Sequence, residues 1–267
     1  MPRTENNNVT ILGSGPQTIV MAHGFGCDQN MWRFLTPYFV PDHRIVLFDY
    51  TGCGKAGTTR FNVQKYSTLG GYAQDLLDVC AELDLRDALL VSHSVSTMIG
   101  LIAGLQDPSR FHSMAMVCPS PCLMNQPPNY HGGFDRADLE ELLAMMDQNY
   151  IGWANYLGPV VTGLPNGTDL AAELSGSFCS TDPIIAKTFA RAAFMADLRH
   201  LLPKARHPTL LLQSATDALA SQAVGEYTHA HLPDSQLAVV DATGHCLHMT
   251  HPAEVARLIR AFMAARP

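Results

Sequence analysis

Short apolar runs recur along the chain, and each is bounded by residues that favour turns. Most of them are nearly continuous instead of alternating in polarity, which is typical of strands that are covered on both faces of a parallel sheet. The predicted strands are Val9–Leu12, Thr18–Ala22, Arg44–Phe48, Ala88–Val91, Met114–Val117, Thr209–Leu212 and Leu237–Val240.

Segments with helical spacing of apolar residues lie between these runs. Ser67–Leu85 begins with a candidate helix-capping serine, Val95–Leu105 is apolar on nearly every side, and Pro252–Ala264 has one apolar face. Strands that alternate with helices predict an α/β fold with a doubly wound, mostly parallel sheet.

The block from residue 119 to 200 breaks this alternation. It opens with a proline-rich stretch, lacks strand-like runs, and lies between the fifth and sixth predicted strands. We therefore expect a helical cap over the sheet edge where ligands bind in open α/β folds. The predicted core comprises residues 1–118 and 201–267. The helical segments expected in the cap are 136–146, 147–160, 168–175 and 182–198.

Composition limits the classes of partner. Only 15% of the 267 residues are charged, against about 25% in an average chain, so much of the sequence should be interior. The net charge of −7 and the scattered basic residues argue against nucleic acid and anionic membranes. The polar start at Met1–Asn8 lacks the apolar region of a signal peptide. With no apolar stretch long enough to span a bilayer, a cytoplasmic location is expected.

Cysteine and histidine raise the question of metal binding. The seven cysteines are odd in number and show no C-x-x-C spacing, which favours free thiols in a reducing compartment. The 12 histidines include no H-E-x-x-H pattern. We therefore expect no metal site. No organic cofactor is expected either, because a serine nucleophile with its base and acid needs none.

Three serines and a histidine follow the fourth predicted strand, in the segment Val-Ser-His-Ser-Val-Ser at residues 91–96. A nucleophilic serine on a sharp strand-to-helix turn needs small residues two positions before and after it, because the strand and helix backbones approach closely. Ser92 and Ser96 occupy these positions, where glycine is usual, so the spacing selects Ser94 as nucleophile. The alternative is a strand end whose hydroxyls cap the next helix.

Two main-chain N–H groups are candidates for an oxyanion hole. One belongs to Val95, directly after the candidate nucleophile, and the other to Phe25 in the loop after the second predicted strand. This loop reads Ala-His-Gly-Phe-Gly, and the alternative is an ordinary glycine turn. We expect His23 to brace the loop by hydrogen bonding and not to act as an acid or base.

An acid and a base follow in the chain order expected for a serine nucleophile. Asp217 is the one carboxylate in the loop after the sixth predicted strand, and His245 follows the last strand in a Gly-His pair. In this interpretation His245 accepts the Ser94 proton, Asp217 fixes the His245 tautomer, and the two N–H groups stabilise the oxyanion. The rival bases are His248 and His251, and the rival acid is Asp241.

These motifs resemble the RsbQ-like branch of the α/β-hydrolases, which includes a bacterial stress-response regulator and the plant karrikin and strigolactone receptors. The resemblance covers nearly the whole chain. The segments that carry it are 23–32, 47–54, 71–80, 92–96, 119–122, 132–134, 178–183 and 244–249.

The resemblance implies an α/β-hydrolase fold with a V-shaped cap of four helices over a small, mostly apolar pocket. Phe134 and Phe194 match aromatic pocket positions of the branch, whereas Leu157 replaces an aromatic residue. A cap above a serine turn should also expose apolar surface inward. We therefore expect the pocket to be lined by Phe25, Phe134, Trp153 and Phe194, although cap rings could instead pack on one another.

Three functions are compatible with these residues. The first is a serine hydrolase that acts on a small apolar ester or lactone, such as a butenolide. The second, implied by the resemblance, is a ligand sensor that activates an RsbP-like, PAS-domain phosphatase in general stress signalling. The third is a C–C bond hydrolase of aromatic degradation. A monomer or weak dimer is expected.

Overall fold

The computed structural model describes residues 3–266, so residues 1, 2 and 267 of the predicted core lie outside the described part. A seven-stranded sheet forms its centre. The strands are β1 (Thr10–Leu12), β2 (Gln17–Ala22), β3 (His43–Leu47), β4 (Ala88–His93), β5 (Phe111–Val117), β6 (Thr209–Thr216) and β7 (Ser235–Thr243).

The sheet has the order β1-β3-β2-β4-β5-β6-β7. β1 runs antiparallel to β3, and the other neighbouring strands are parallel. All predicted strands are confirmed, with shifted ends. β6 continues past its apolar run through Gln213–Thr216, which the apolar pattern could not indicate because three of these four residues are polar.

Both faces of the sheet are covered, as the continuous apolar runs predicted. Ile19 and Met21 belong to one buried cluster, whereas Val20 and Ala22 belong to the other. This division follows from the alternation of side chains along a strand. Because β2 to β7 run parallel, their carboxyl ends meet at one edge of the sheet, between two layers of helices.

Helices connect the strands. They are α1 (Arg3–Asn6), α2 (Val63–Tyr66), α3 (Leu69–Glu82), α4 (Val95–Gln106), α5 (Arg136–Gln148), α6 (Tyr150–Thr162), α7 (Asp169–Ser180), α8 (Pro183–Phe194), α9 (Gln222–His231), α10 (Leu247–Thr250) and α11 (Pro252–Ala264). Short 3₁₀ helices occupy Gln29–Phe34, Thr36–Tyr38, Pro108–Arg110 and Arg199–Lys204.

One predicted helix start is corrected, and one helix was missed. Ser67 does not cap α3: its hydroxyl donates to the main-chain oxygen of Gln64, in α2, and Thr68 precedes α3. Helix α9 was not predicted, because its buried face includes the small residues Gly225 and Thr228 and gives little apolar periodicity.

Four helices, α5 to α8, lie between β5 and β6 within residues 119–200, which we call the helical insertion. Their number agrees with the four predicted segments, while the V-shaped arrangement stays a prediction. Among the described residues, no helix is both long and apolar enough to cross a membrane.

Candidate active site

Ser94 lies on a sharp turn between β4 and α4. Its backbone has φ +56° and ψ −126°, a conformation that residues with a side chain rarely adopt. The Ser94 N–H donates to the main-chain oxygen of Val117, in the neighbouring strand β5, at 2.9 Å. The turn therefore holds the Ser94 hydroxyl at the carboxyl edge of the sheet.

The two serines that flank this turn behave differently. The Ser96 hydroxyl donates to the main-chain oxygen of His23 at 2.5 Å and lies 2.9 Å from the Tyr50 hydroxyl. Ser92 is buried, and its hydroxyl has no hydrogen-bond partner in the described part of the chain. Ser96 thus links α4 to the loop after β2, whereas Ser92 acts as a small spacer.

The structure brings the three residues of the predicted triad together. His245 Nε2 lies 2.7 Å from Ser94 Oγ, and His245 Nδ1 lies 2.6 Å from Asp217 Oδ2. An ionised carboxylate only accepts hydrogen bonds, so Nδ1 carries the proton and the Nε2 lone pair faces the serine hydroxyl. The other Asp217 oxygen accepts the N–H groups of Leu219 at 2.8 Å and Ala220 at 3.2 Å.

The same contacts explain the charge on Asp217. Burial alone would raise the pKa of its carboxyl group. The interaction with His245 and the amides of Leu219 and Ala220 outweigh this effect and lower the pKa below its usual value. Asp217 is therefore ionised at neutral pH and orients the His245 ring.

The rival residues do not join this arrangement. His248 is fully buried, and its ring packs between those of Trp32 and His93 in tilted contacts, with ring centroids 4.5 and 4.4 Å away. His251 and Asp241 are exposed. The structure gives none of the three a hydrogen bond to Ser94.

Phe25 and Val95 both line the cavity beside Ser94. No hydrogen bond from either main-chain N–H is found among residues 3–266, so the two donors stay available for a ligand. His23 braces the Phe25 loop as predicted. Its Nδ1–H donates to the main-chain oxygen of Gly24 at 2.9 Å, and its Nε2 accepts the Tyr50 N–H at 3.2 Å.

An apolar cavity opens above Ser94 and His245. Phe25, Phe134 and Phe194 line it as predicted, and Leu157 lines it in place of an aromatic ring. Further lining side chains come from the helical insertion and its flanks: Cys122, Leu123, Leu139, Leu142, Val161, Phe178, Ala193, Ala196 and Leu198.

Trp153 does not line the cavity and corrects the predicted set. It is fully buried behind Phe25, and its ring packs against Phe178 and Tyr150, with centroids 5.4 and 5.7 Å away. The helix that carries Trp153 turns this ring toward α7. The alternative anticipated from the sequence, in which insertion rings pack on each other, therefore holds for this residue.

Phe178 lines the cavity although the sequence analysis did not predict it. Its ring stacks on Phe25 with centroids 5.9 Å apart. A β-carbon at Gly26 would lie 1.9 Å from the Phe178 ring, so only glycine admits the ring here. Phe178 begins segment 178–183, which carries part of the family resemblance, and Gly26 is the second glycine of the Phe25 loop. Nothing in the sequence shows that these two residues are in contact.

Within residues 3–266, one group of potential metal ligands includes the proposed base. The ligand atoms of Cys118, Asp217 and His245 lie within 4.8 Å of one another. Burial raises the pKa of the Cys118 thiol far above its ordinary value, which keeps it protonated. The Asp217–His245 hydrogen bond occupies the other two groups. The arrangement therefore suits proton transfer better than metal coordination.

Comparison with known proteins assigns the family. The protein named Karrikin insensitive 2 receptor CA, from Petunia hybrida, is 38% identical over 249 residues, which cover 93% of this chain and 92% of that protein. Strigolactone esterase D14 from Arabidopsis thaliana is 34% identical over 257 residues, with 95% and 94% covered.

One solved structure has a higher sequence identity to this chain than these two proteins. A hydrolase from Oleispira antarctica, olei00960, superposes with a TM-score of 0.96 at 48% identity, covering 98% of this chain and 96% of that one. The family description "alpha/beta hydrolase fold" matches residues 17–252. With its parallel sheet and the serine turn at the carboxyl edge, the chain belongs to the α/β-hydrolase family.

Proposed function

We propose that this protein is a serine hydrolase of small, apolar esters or lactones, butenolides included. Ser94 is the nucleophile, His245 the general base, and Asp217 the acid that orients it. One observation carries the proposal: hydrogen bonds of 2.6 and 2.7 Å join Asp217, His245 and Ser94 beside an apolar cavity. A nucleophile is activated in this way when a base and its orienting acid align behind it.

The first half of the reaction acylates the serine. His245 Nε2 takes the Ser94 proton as Oγ attacks the substrate carbonyl carbon. The carbonyl electron pair moves onto oxygen, where the N–H groups of Phe25 and Val95 donate to the oxyanion. Asp217 stabilises the imidazolium and remains ionised itself. The tetrahedral intermediate then expels the alkoxide, which takes its proton from His245.

The second half releases the acid. A water molecule gives a proton to His245 and attacks the acyl group on Ser94, and the serine leaves with the proton that His245 returns. With an ester, the alcohol and the acid leave as two molecules. With a lactone, the expelled hydroxyl stays on the acyl chain, so the product is a hydroxy acid.

The test is hydrolysis of p-nitrophenyl acetate by the wild-type protein and two serine variants. Ser94→Ala should abolish turnover and leave the melting temperature nearly unchanged. Ser92→Gly, which restores the usual glycine beside the nucleophile, should stay within about threefold of wild type because the Ser92 hydroxyl has no partner among the described residues. A wild-type rate in Ser94→Ala would show that Ser94 is not the nucleophile.

The similarity to a karrikin receptor over 93% of the chain supports a second candidate function, ligand sensing through the same cavity. In this case the protein binds or slowly cleaves a butenolide and then engages a partner, for which an RsbP-like PAS-domain phosphatase is the candidate. Intact-mass spectrometry after exposure to a strigolactone-type butenolide separates the two functions. A lasting adduct on Ser94 or His245 supports sensing, and rapid release without an adduct supports a metabolic hydrolase.

A further inference from the structure

His93 is the last residue of β4 and directly precedes Ser94. It is buried, and its Nε2 lies 2.8 Å from the main-chain oxygen of His245. A carbonyl oxygen only accepts, so Nε2 carries the proton and donates. A single hydrogen bond thus joins the residue beside the nucleophile to the main chain of the base, 152 positions along the sequence.

The main-chain N–H of His245 also has a hydrogen-bond partner. Its N–H donates to the main-chain oxygen of Val161, at the end of α6 in the helical insertion, at 2.7 Å. Both polar main-chain groups of His245 therefore have hydrogen-bond partners. The insertion holds the N–H, and His93 holds the carbonyl from the core.

The His93 ring also contacts the loop that carries Phe25. A β-carbon built on Gly24 would lie 2.5 Å from His93 Nδ1 and 3.5 Å from Ser94 Cβ, so the ring packs directly against the Gly24 backbone. His93 thereby fills the space between three chain segments. These segments carry the nucleophile, the base and one of the two oxyanion donors.

We propose that His93 is a positioning residue that sets the placement of Ser94, His245 and the Phe25 loop through its hydrogen bond to the His245 carbonyl. The inference rests on the proposed function, which assigns Ser94 and His245 as nucleophile and base. His93 itself transfers no proton. It acts through the backbone that aims the His245 ring at the serine.

The charge states of His93 and His245 fit this role. Burial, and then the neighbouring His245, lower the pKa of His93 to about 3, so the ring is neutral in the working range. The two ring centroids lie 5.0 Å apart. Because His93 is neutral, His245 can accept the serine proton without facing a second positive charge at this distance.

Two variants of His93 and one matched control test the proposal with p-nitrophenyl acetate. His93→Phe keeps an aromatic ring and removes the donor. His93→Gln places an N–H donor near the position of Nε2. His207→Phe is the control, because His207 Nε2 also lies 3.0 Å from a main-chain oxygen, that of Pro108, but stands before β6 at the opposite edge of the sheet.

We expect His93→Phe to lower kcat by about 10- to 100-fold with KM changed less than about threefold, as for a misplaced catalytic group. His93→Gln should recover kcat to within about threefold of wild type, and His207→Phe should keep the wild-type kcat. A kcat within twofold of wild type in His93→Phe overturns the proposal. So does failure of His93→Gln to recover activity when both variants are folded.

A measurement on the wild-type protein separates this inference from the proposed function. Nitrogen-15 NMR of the histidine rings should show His93 in the Nε2–H form, with a through-bond correlation from Nε2 to the His245 carbonyl carbon. The Nδ1–H form, or no such correlation, overturns the positioning role whatever the turnover. If Ser94→Ala retains activity while the correlation is present, it is the proposed function that fails.

Discussion

The main-chain oxygen of Val161 accepts a hydrogen bond from the main-chain N–H of His245 at 2.7 Å. This contact joins α6 of the helical insertion to the loop that carries the proposed base. Two glycines make the approach possible. A β-carbon on Gly163 would lie 2.7 Å from the Gly244 Cα, and one on Gly244 would lie 2.1 Å from the main-chain oxygen of Thr162.

We therefore expect Gly163→Ala to disturb the site from a distance. The added methyl group must push α6 away from the His245 loop, because backbone atoms fill the space that it needs. The free energy of unfolding should fall by about 2 kcal/mol or more, from overpacking and from the left-handed backbone. kcat should fall by about tenfold or more as His245 shifts. Urea unfolding and p-nitrophenyl acetate kinetics measure the two effects.

Gly167→Ala is the matched control for this variant. Gly167 lies in the same insertion and also has a positive φ, +86°, but a β-carbon there meets nothing within 4 Å. Its stability should fall by about 1 kcal/mol from backbone strain alone, and its kcat should not change. Equal kcat values in the two variants would contradict the link between α6 and the base.

Asp217→Asn should lower kcat by about 10⁴-fold with little change in KM. An amide can donate to His245 Nδ1 and so favour the wrong tautomer of the ring, as in other serine triads. Asp241→Asn is the control, since Asp241 is the exposed rival acid. The assay is p-nitrophenyl acetate hydrolysis at neutral pH. A large loss in Asp241→Asn, with activity retained in Asp217→Asn, would reverse the assignment of the acid.

The cavity should reject charged acyl groups. Among the described side chains that line it there is no Asp, Glu, Lys or Arg, so a substrate carboxylate would be buried without a partner, at a cost of several kcal/mol. We expect kcat/KM for the mono-p-nitrophenyl ester of succinate to be at least about 100-fold below that for p-nitrophenyl butyrate. The rates of alkaline hydrolysis of the two esters correct for intrinsic reactivity, and similar corrected values would refute the expectation.

Acid should destabilise the fold through three buried histidines. Burial lowers the pKa of His23 and of His248, and that of His93 to about 3. These rings are neutral in the folded protein but gain protons in the unfolded chain. Their contribution to the free energy of unfolding is therefore fully present above the unfolded pKa of about 6.5, and it is lost as the pH falls toward the pKa of the folded state. For His93 alone the loss between pH 6.5 and 5 should be about 2 kcal/mol.

Urea unfolding at several pH values between 7.5 and 5 measures this dependence. Replacing one buried ring, as in His248→Leu, should make the pH dependence less steep by roughly the contribution of one proton. A stability that does not vary over this pH range would mean that the buried rings already carry protons in the folded state.

Much of this architecture could be predicted from the sequence because its causes are local. The apolar runs indicated all the strands, since strands covered on both faces need continuous apolar residues. The spacing of Ser92, Ser94 and Ser96 indicated the sharp turn, since strand and helix backbones meet there. Chain order then selected Asp217 and His245, because parallel strands bring their carboxyl ends to one edge.

The tertiary structure decided the placement of those side chains that depend on how helices and strands pack against one another. Trp153 and Phe178 are both aromatic residues of the insertion, yet the packing of α6 against α7 buries the first behind Phe25 and places the second in the cavity. The sequence likewise places His93 beside the nucleophile but cannot show that its ring reaches the His245 carbonyl. That contact joins residues far apart in the chain, and only the packed sheet edge sets their distance.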